Sequence, residues 1–336
     1  MAGAGKREHR RGVTTSKHRG LRALFAEDRL SLGLFFPIEA YRGDTPTMLH
    51  QDTLARRAEA LGFSALWFRD VPLRDPSFGD VGQIYDPWVY LGHVAALTRG
   101  VALVTGAIVL PLRHPLHVAK AAASVDRLSG GRFVLGVATG DRPAEAVAFG
   151  VDPASRGALF REHVRVLRGA WSAPASTFPA ELLGSGLDLV PKPIGGDLPV
   201  LAVGRSQQSF DWIARETDGF VTYPRPLHVQ KGMAEEYRAA TRAAGAVPRL
   251  AQSLYIDLLE RRNAPPRPIH LGWALGREPL VELLEQTRAL GVGHVVLNLK
   301  YGSRPAAEVV EELGADVLPR FGATSRDLPA PVPAAM

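Results

Sequence analysis

Val101–Leu110 (VALVTGAIVL) is the segment that most narrows what this chain can fold into. Side chains on a strand alternate between the two faces of a sheet, so a run without polar alternation has to be covered on both sides. The usual solution is a parallel strand lying under helices. The flanks agree with this. Upstream, Asp86 precedes Pro87, a capping carboxylate followed by a first-turn proline, and the helix they open runs to about Thr98 and stops at Gly100. Downstream, Pro115–Leu128 reads as a helix, and Ser129-Gly130-Gly131 turns it into the apolar run Arg132–Ala138.

The same alternation extends along the chain. Strands are expected at Ser31–Phe36, Phe63–Phe68, Val101–Leu110, Arg132–Ala138, Leu198–Val203, Gly219–Tyr223, Leu250–Leu258 and His294–Leu299, with helical patterns between and after them. Eight strands each followed by a helix are the number that closes a parallel barrel, and right-handed crossovers place the helices outside. The predicted fold class is therefore α/β, a (β/α)8 barrel, with an excursion near 172–197 and a second irregular insertion near 259–275. An open doubly wound sheet is the alternative, but the glycine-rich fingerprint it favours does not follow Phe36. The organisation read from sequence is a basic arm over 1–29, expected to be disordered, one barrel over 30–321, and a Pro/Ala-rich tail over 322–336.

Charge and composition remove several functions. Residues 1–22 hold seven basic side chains against Glu8, which accounts for the whole formal charge of +6 and leaves the body neutral. A basic arm can hold nucleic acid, but no aromatic-basic interleaving elsewhere supports that role, and a solvated extension is the expectation. No apolar run approaches the roughly 18 residues of a membrane span. The absence of cysteine excludes disulfides and thiolate metal sites, and fits a cytoplasmic protein. There is no HExxH, no GxSxG elbow and no Walker loop, so no metal site is expected.

In such a barrel, chemistry belongs to the residues just past each strand. These are Asp70, Arg113 and His114, Thr139 to Arg142, Gly204 to Ser209, Tyr223 and Arg225, and Asn298 to Tyr301. Gly204-Arg205-Ser206-Gln207-Gln208-Ser209 pairs a flexible glycine with a helix start and a cation, a pattern that suits a phosphate and equally suits a capping serine. Thr139-Gly140-Asp141-Arg142 is a second candidate anion loop or an ordinary turn. Asp70 is a lone carboxylate, either a strand-end functional group or a salt-bridge partner.

From Asp86 to Gly140, and most specifically in LPLRHPLHVAKAAASVDRLSGGRF, the chain resembles the bacterial luciferase-like superfamily of flavin-dependent oxidoreductases. The likeness covers roughly Leu30 to Phe321, and within the superfamily the chain resembles a luciferase-type oxidoreductase subgroup of unassigned substrate. It implies a barrel that binds reduced FMN, or in some branches F420, at its strand ends. It implies a non-proline cis peptide at Gly106–Ala107 beside the flavin ring, with Thr105 as a ring contact. It implies a phosphate site matched by Thr139, Gly140, Gly204, Arg205, Ser206 and Ser209, with Tyr223 nearby. The family's phosphate arginine after the fourth strand is matched by Thr139, and Arg205 is expected to supply the missing cation. The acidic residue after strand two is kept as Asp70, but the luciferase base is replaced by Val71, so light emission from an aldehyde is not expected. Asp70 and His114 are the candidate catalytic residues, with Asp141, Arg142 and Tyr223 as other proton handlers.

The implied activity is a two-component monooxygenase, supplied with reduced FMN by a separate reductase, that uses O2 to oxidise a small organic substrate. An F420-dependent hydride transfer and a non-catalytic flavin-binding barrel are the alternatives. A homodimer is the family expectation, and 172–197 is a candidate lid.

Overall fold

The computed structural model describes residues 17–27, 29–172 and 187–322. Its strands in chain order are β1 (Ser31–Phe35), β2 (Ala65–Phe68), β3 (Ala102–Thr105), β4 (Ile108–Val109), β5 (Phe133–Ala138), β6 (Val200–Val203), β7 (Gly219–Thr222), β8 (Leu250–Leu258), β9 (Arg267–Ile269), β10 (Gly272–Leu275) and β11 (Val292–Asn298). Among the described residues, eight parallel positions close on themselves. β1 pairs β2 on one side and β11 on the other, and β11 pairs β8. β3 and β4 share one position, interrupted at Gly106 and Ala107, and both pair β5. The eight strands expected from the apolar runs are thus the eight staves of the barrel.

Alternation along each strand divides the apolar side chains between two cores. Phe35, Trp67, Val104 and Val134 pair in register and point inward, joined by Leu201, Val221, Ala251 and Val296. Their neighbours Leu34, Leu66, Leu103 and Phe133 pack outward against the helices. The helices are α1 (Arg19–Leu24), α2 (Gln51–Leu61), α3 (Pro87–Leu97), α4 (Pro115–Ser129), α5 (Pro143–Ala148), α6 (Arg156–Trp171), α7 (Phe210–Glu216), α8 (Leu227–Ala243), α9 (Arg277–Ala289) and α10 (Ala306–Glu312). Asp86 caps α3 as its sequence predicts, accepting from the Trp88 and Val89 backbone N–H groups. α4 buries Val118, Ala119, Ala122, Ala123 and Val125, one stripe at helical spacing.

Two parts depart from the sequence reading. The boundary of the basic arm at residue 29 is too late, because Arg19–Leu24 is a helix under the barrel. Leu21 and Leu24 join the inward core, and a Cβ on Gly20 would lie 2.4 Å from the Arg132 carbonyl oxygen. Two leucines at i and i+3 inside a run of arginines are a short apolar face, and the open end of the barrel supplies its cover. The insertion at 259–275 is also ordered. β9 and β10 form an antiparallel pair, and β10 adds in parallel to the far half of β8, Gly272 opposite Tyr255. β8 is long enough to leave the barrel and offer that edge. Residues 173–186 of the candidate lid over 172–197 lie outside the described residues.

Among the described residues, the barrel interior holds one imidazole. Trp67 Nε1–H donates to His294 Nε2 at 3.0 Å, and His294 Nδ1 lies 2.7 Å from the Ser31 hydroxyl, which donates to the Leu24 carbonyl at 2.6 Å. Indole nitrogen only donates, so Nε2 is the acceptor and Nδ1 carries the proton. Burial pushes the imidazole down to about 3.

Candidate active site

The loops at the C-terminal ends of the strands surround a cavity of about 260 Å³. Phe35, Trp67, Val109, Ala138, Val203 and Val221 form its apolar walls. Gly106 and Ala107 lie on the wall where β3 breaks, and the peptide bond between them is cis, as the family resemblance implied. A side chain at Gly106 has nowhere to go. Its Cβ would stand 2.7 Å from the Trp67 ring and 3.0 Å from Phe35.

Asp70 lies at the end of β2 with its carboxylate buried in the lining. Its Oδ2 accepts the Val109 backbone N–H at 3.1 Å, and Arg113 holds both oxygens. Three donors on one carboxylate make Asp70 a tie between β2, β4 and the following turn, in addition to a polar patch on the cavity wall.

After β5, Thr139, Gly140, Asp141 and Arg142 all line the cavity. Gly140 takes a φ of +83°, and a Cβ there would meet Val109 at 2.7 Å. Arg142 is buried, stacks its guanidinium 4.2 Å from the Phe78 ring centroid and donates to the Asp80 carbonyl through Nη2. Its Nη1 has no partner. After β6, Gly204 and Ser206 line the cavity, and Gly204, Ser206 and Gln207 all take positive φ, at +63°, +46° and +58°. Left-handed conformations at a serine and a glutamine are uncommon and mark a loop whose backbone is held by its surroundings. Tyr223 lines the cavity at the end of the neighbouring β7, and burial raises its phenol above the ordinary range.

Four expected residues sit elsewhere. The Thr105 hydroxyl is clamped in the sheet, donating to the Gly136 carbonyl and accepting the Gly136 N–H, each at 2.8 Å. Its strand neighbours point it away from the cavity. His114 caps α4, its Nδ1 accepting the Leu116 N–H at 3.3 Å. Ser209 caps α7, accepting from the Trp212 N–H at 3.2 Å. Arg205 lays its guanidinium 3.9 Å above the Phe210 ring, donates from Nε to the Gln208 carbonyl and reaches Glu236 at 3.5 Å. The lining has other cations in Arg69 and Arg142.

The structure also adds residues that strand-end reading passed over. Ser253 and Tyr255 come from inside β8, Arg69 from one residue before Asp70, and Glu145 from the first turn of α5. Glu145 is 2% exposed and its Oε1 has no partner. Burial, together with the nearby Asp70 and Asp141 carboxylates and against the pull of Arg142, pushes its carboxyl up to about 7. The Ser253 hydroxyl is likewise buried without a partner. The sequence signal for Glu145 was its place three residues after Arg142, one helical turn behind the loop, where a side chain returns to the same face.

Above the cavity the loop after β2 is fastened by Asp80. Its carboxylate accepts from Arg69 at 2.6 Å, Tyr41 at 2.8 Å and the Gly82 N–H at 2.8 Å, with the Lys300 ammonium at 3.3 Å. Burial alone would raise this carboxyl, but Arg69 and Lys300 outweigh it and hold it well below the usual range. Tyr255 completes the cluster, its phenol pushed up to about 12 chiefly by burial. Among the described residues no group of His, Cys, Asp or Glu is arranged to hold a metal ion, and no helix is long and apolar enough to cross a membrane.

Comparison with known proteins places this architecture. A family model described as luciferase-like monooxygenase matches residues 31–261. The uncharacterized protein Rv0953c of Mycobacterium tuberculosis is 30% identical over 292 residues, spanning 82% of this chain and 94% of the relative. Among solved structures, the monooxygenase RslO1 from Streptomyces bottropensis shares the fold with a TM-score of 0.70 at 21% identity, covering 87% of this chain and all of that one. An F420-dependent secondary alcohol dehydrogenase, solved with an F420-acetone adduct, does so with a TM-score of 0.67 at 18% identity, over 87% and 98% of the two chains. The match across the barrel and its strand-end loops, with a relative aligned over nearly its full length, shows that this chain belongs to the luciferase-like monooxygenase family.

Proposed function

We propose that the chain is a flavin-dependent monooxygenase that takes reduced FMN from a separate reductase and uses O2 to oxidise a small organic substrate. The observation that carries this reading is one cavity holding three buried, unpartnered polar atoms, Arg142 Nη1, Glu145 Oε1 and Ser253 Oγ, between apolar walls. An unpartnered buried polar atom costs about 1–3 kcal/mol. Three of them in one cavity fit a flat ligand with polar edges whose own atoms complete the set. The residues present therefore fit a flavin. Phe35, Trp67 and the Gly106–Ala107 segment offer an apolar wall, Arg142 offers a donor to an anionic or carbonyl edge, and Ser253 can donate or accept. Thr139, Gly204 and Ser206 frame the remaining rim.

Bound reduced flavin supplies the electrons with which O2 is activated. The chain's part is to orient the ring, keep water out with the apolar walls, and place the substrate against it. With Val71 at the position of the luciferase base, no imidazole lies in the cavity lining among the described residues, so the substrate is not read as a luciferase aldehyde.

The test has two steps. Reduced FMN is titrated anaerobically into the protein, followed by fluorescence. Oxygen uptake is then measured with FMN and a generic flavin reductase across aldehydes, sulfonates and cyclic amines. Saturable binding and substrate-dependent uptake are expected. Firm FMN binding without uptake on any substrate would point to a non-catalytic flavin-binding barrel instead. F420-dependent hydride transfer is the second reading. It draws support from the near-neutral carboxyl of Glu145, since carbonyl reduction by hydride needs a proton donor close by. Preferential binding of reduced F420, with no oxygen uptake, would favour it.

A further inference from the structure

We infer that Glu145 is the proton-transfer residue of this cavity, giving the proton on its carboxyl to an oxygen or nitrogen atom of the bound substrate. The inference rests on the cavity being the reaction site, as proposed above.

The geometry leads here by comparing the groups that could do this work. Asp70 is engaged by the Val109 N–H and by two nitrogens of Arg113. Tyr223 and Tyr255 hold their protons more tightly than a free phenol, chiefly because they are buried. His114 caps α4 and is not in the lining. Arg69 and Arg142 are guanidinium groups that keep their protons. Glu145 differs from all of these. It is buried in the lining, and its Oε1 has no partner.

The groups facing it explain why it keeps a proton. Asp70 at the end of β2 and Asp141 in the preceding loop disfavour its charge, while Arg142 and the Leu73 backbone favour it. Desolvation is the largest influence and sets the balance near neutrality. A carboxyl poised there can both give and regain a proton at working pH, which is the condition for an efficient general acid or base.

The step balances simply. The O–H bond of Glu145 breaks and an O–H or N–H bond forms on the substrate, with no change in oxidation state. The carboxylate left behind is favoured by the positive charge of Arg142, which acts on it through space. A proton taken back from solvent or from the product restores the start.

The experiment combines a spectrum of the protein alone with a pH profile. Infrared difference spectra of wild-type protein labelled with 13C-glutamate are recorded across pH 5 to 9 and compared with Glu145→Gln. A protonated glutamate band that disappears with a midpoint near pH 7 and is absent from Glu145→Gln is expected. In turnover, kcat/KM of Glu145→Gln should fall about a hundredfold and lose the limb near pH 7, while Glu145→Asp restores the limb. No band above pH 6 in wild type, or a limb that survives unchanged in a folded Glu145→Gln, overturns the inference. Should Glu145→Gln not fold, glutamate-labelled Glu145→Asp makes the same assignment, since the band is expected to be absent there too and its survival overturns the inference. Because that spectrum needs no flavin, failure of the flavin reading shows separately, as absence of FMN binding with the band intact.

Discussion

Arg113 holds Asp70 by two nitrogens at once, Nη2 at 2.6 Å from Oδ1 and Nε at 2.9 Å from Oδ2. The two residues lie 43 positions apart and join the end of β2 to the turn that follows β4. The Asp70 side chain is 1% exposed and that of Arg113 25%, so the pair is largely withdrawn from water. Removing one member of a buried pair costs about 3–5 kcal/mol, because the other is left charged and unpaired. Arg113→Ala is therefore expected to lower the urea midpoint by an amount equivalent to about 3 kcal/mol. A loss under about 1 kcal/mol, the usual size for a surface pair, would mean that Asp70 finds water or another donor.

Gly106→Ala is expected to damage both stability and binding. The new methyl would press on Trp67 and Phe35, whose rings are 5.7 Å apart and already tilted together on the cavity wall. Overpacking of this kind costs about 1–3 kcal/mol. FMN affinity measured by fluorescence should fall with it, because the displaced rings form the ligand's wall. An unchanged Kd alongside a lowered Tm would separate the wall from the ligand.

The interior imidazole predicts a pH dependence of folding. The unfolded chain binds a proton on His294 as pH falls through its ordinary value of 6.5, whereas the folded chain does so only near about 3. The unfolded state thus binds more protons in that window, and stability is full above pH 6.5 and declines as pH drops towards 3. At pH 5 the loss from this one group is about 2 kcal/mol relative to pH 7. Urea unfolding at pH 7, 6 and 5 checks the slope, and His294→Asn should flatten it. An NMR titration in which the His294 imidazole charges near pH 6 would contradict the assignment.

Two arginines make competing claims on an anionic cofactor edge, and the geometry favours one. Arg142 lines the cavity with a free buried donor, whereas Arg205 is committed to Phe210, Gln208 and Glu236. A charged hydrogen bond contributes about 1.5–3 kcal/mol. Arg142→Ala is expected to weaken FMN at least tenfold, and Arg205→Ala less than threefold. The reverse order of Kd values, from parallel titrations, would restore the phosphate role read for Arg205 from sequence.

The staves of the barrel were legible because their signal is local. Val101–Leu110 needs cover on both faces whatever surrounds it, and eight such runs separated by helical periodicity admit few closed arrangements. The cap at Asp86 was legible for the same reason, since it involves four consecutive residues, Asp86 to Val89. The cis bond at Gly106–Ala107 came from family resemblance, and no local pattern marked it.

Other features depended on what tertiary structure brought together. Leu21 and Leu24 look like part of a charged arm until the open end of the barrel covers them. Residues 259–275 look irregular until β8 outruns the barrel and offers an edge. At the mouth, the sequence by itself determined which loops meet, because strand ends gather at one face of a parallel barrel. It did not determine which side chains turn inward. Thr105, His114 and Ser209 stand at strand ends or caps and satisfy the backbone, while Glu145, one helical turn further on, faces the cavity. A carboxyl acquires a near-neutral proton only from the burial and neighbouring charges that folding imposes, and those neighbours include Asp70, 75 positions away in the chain.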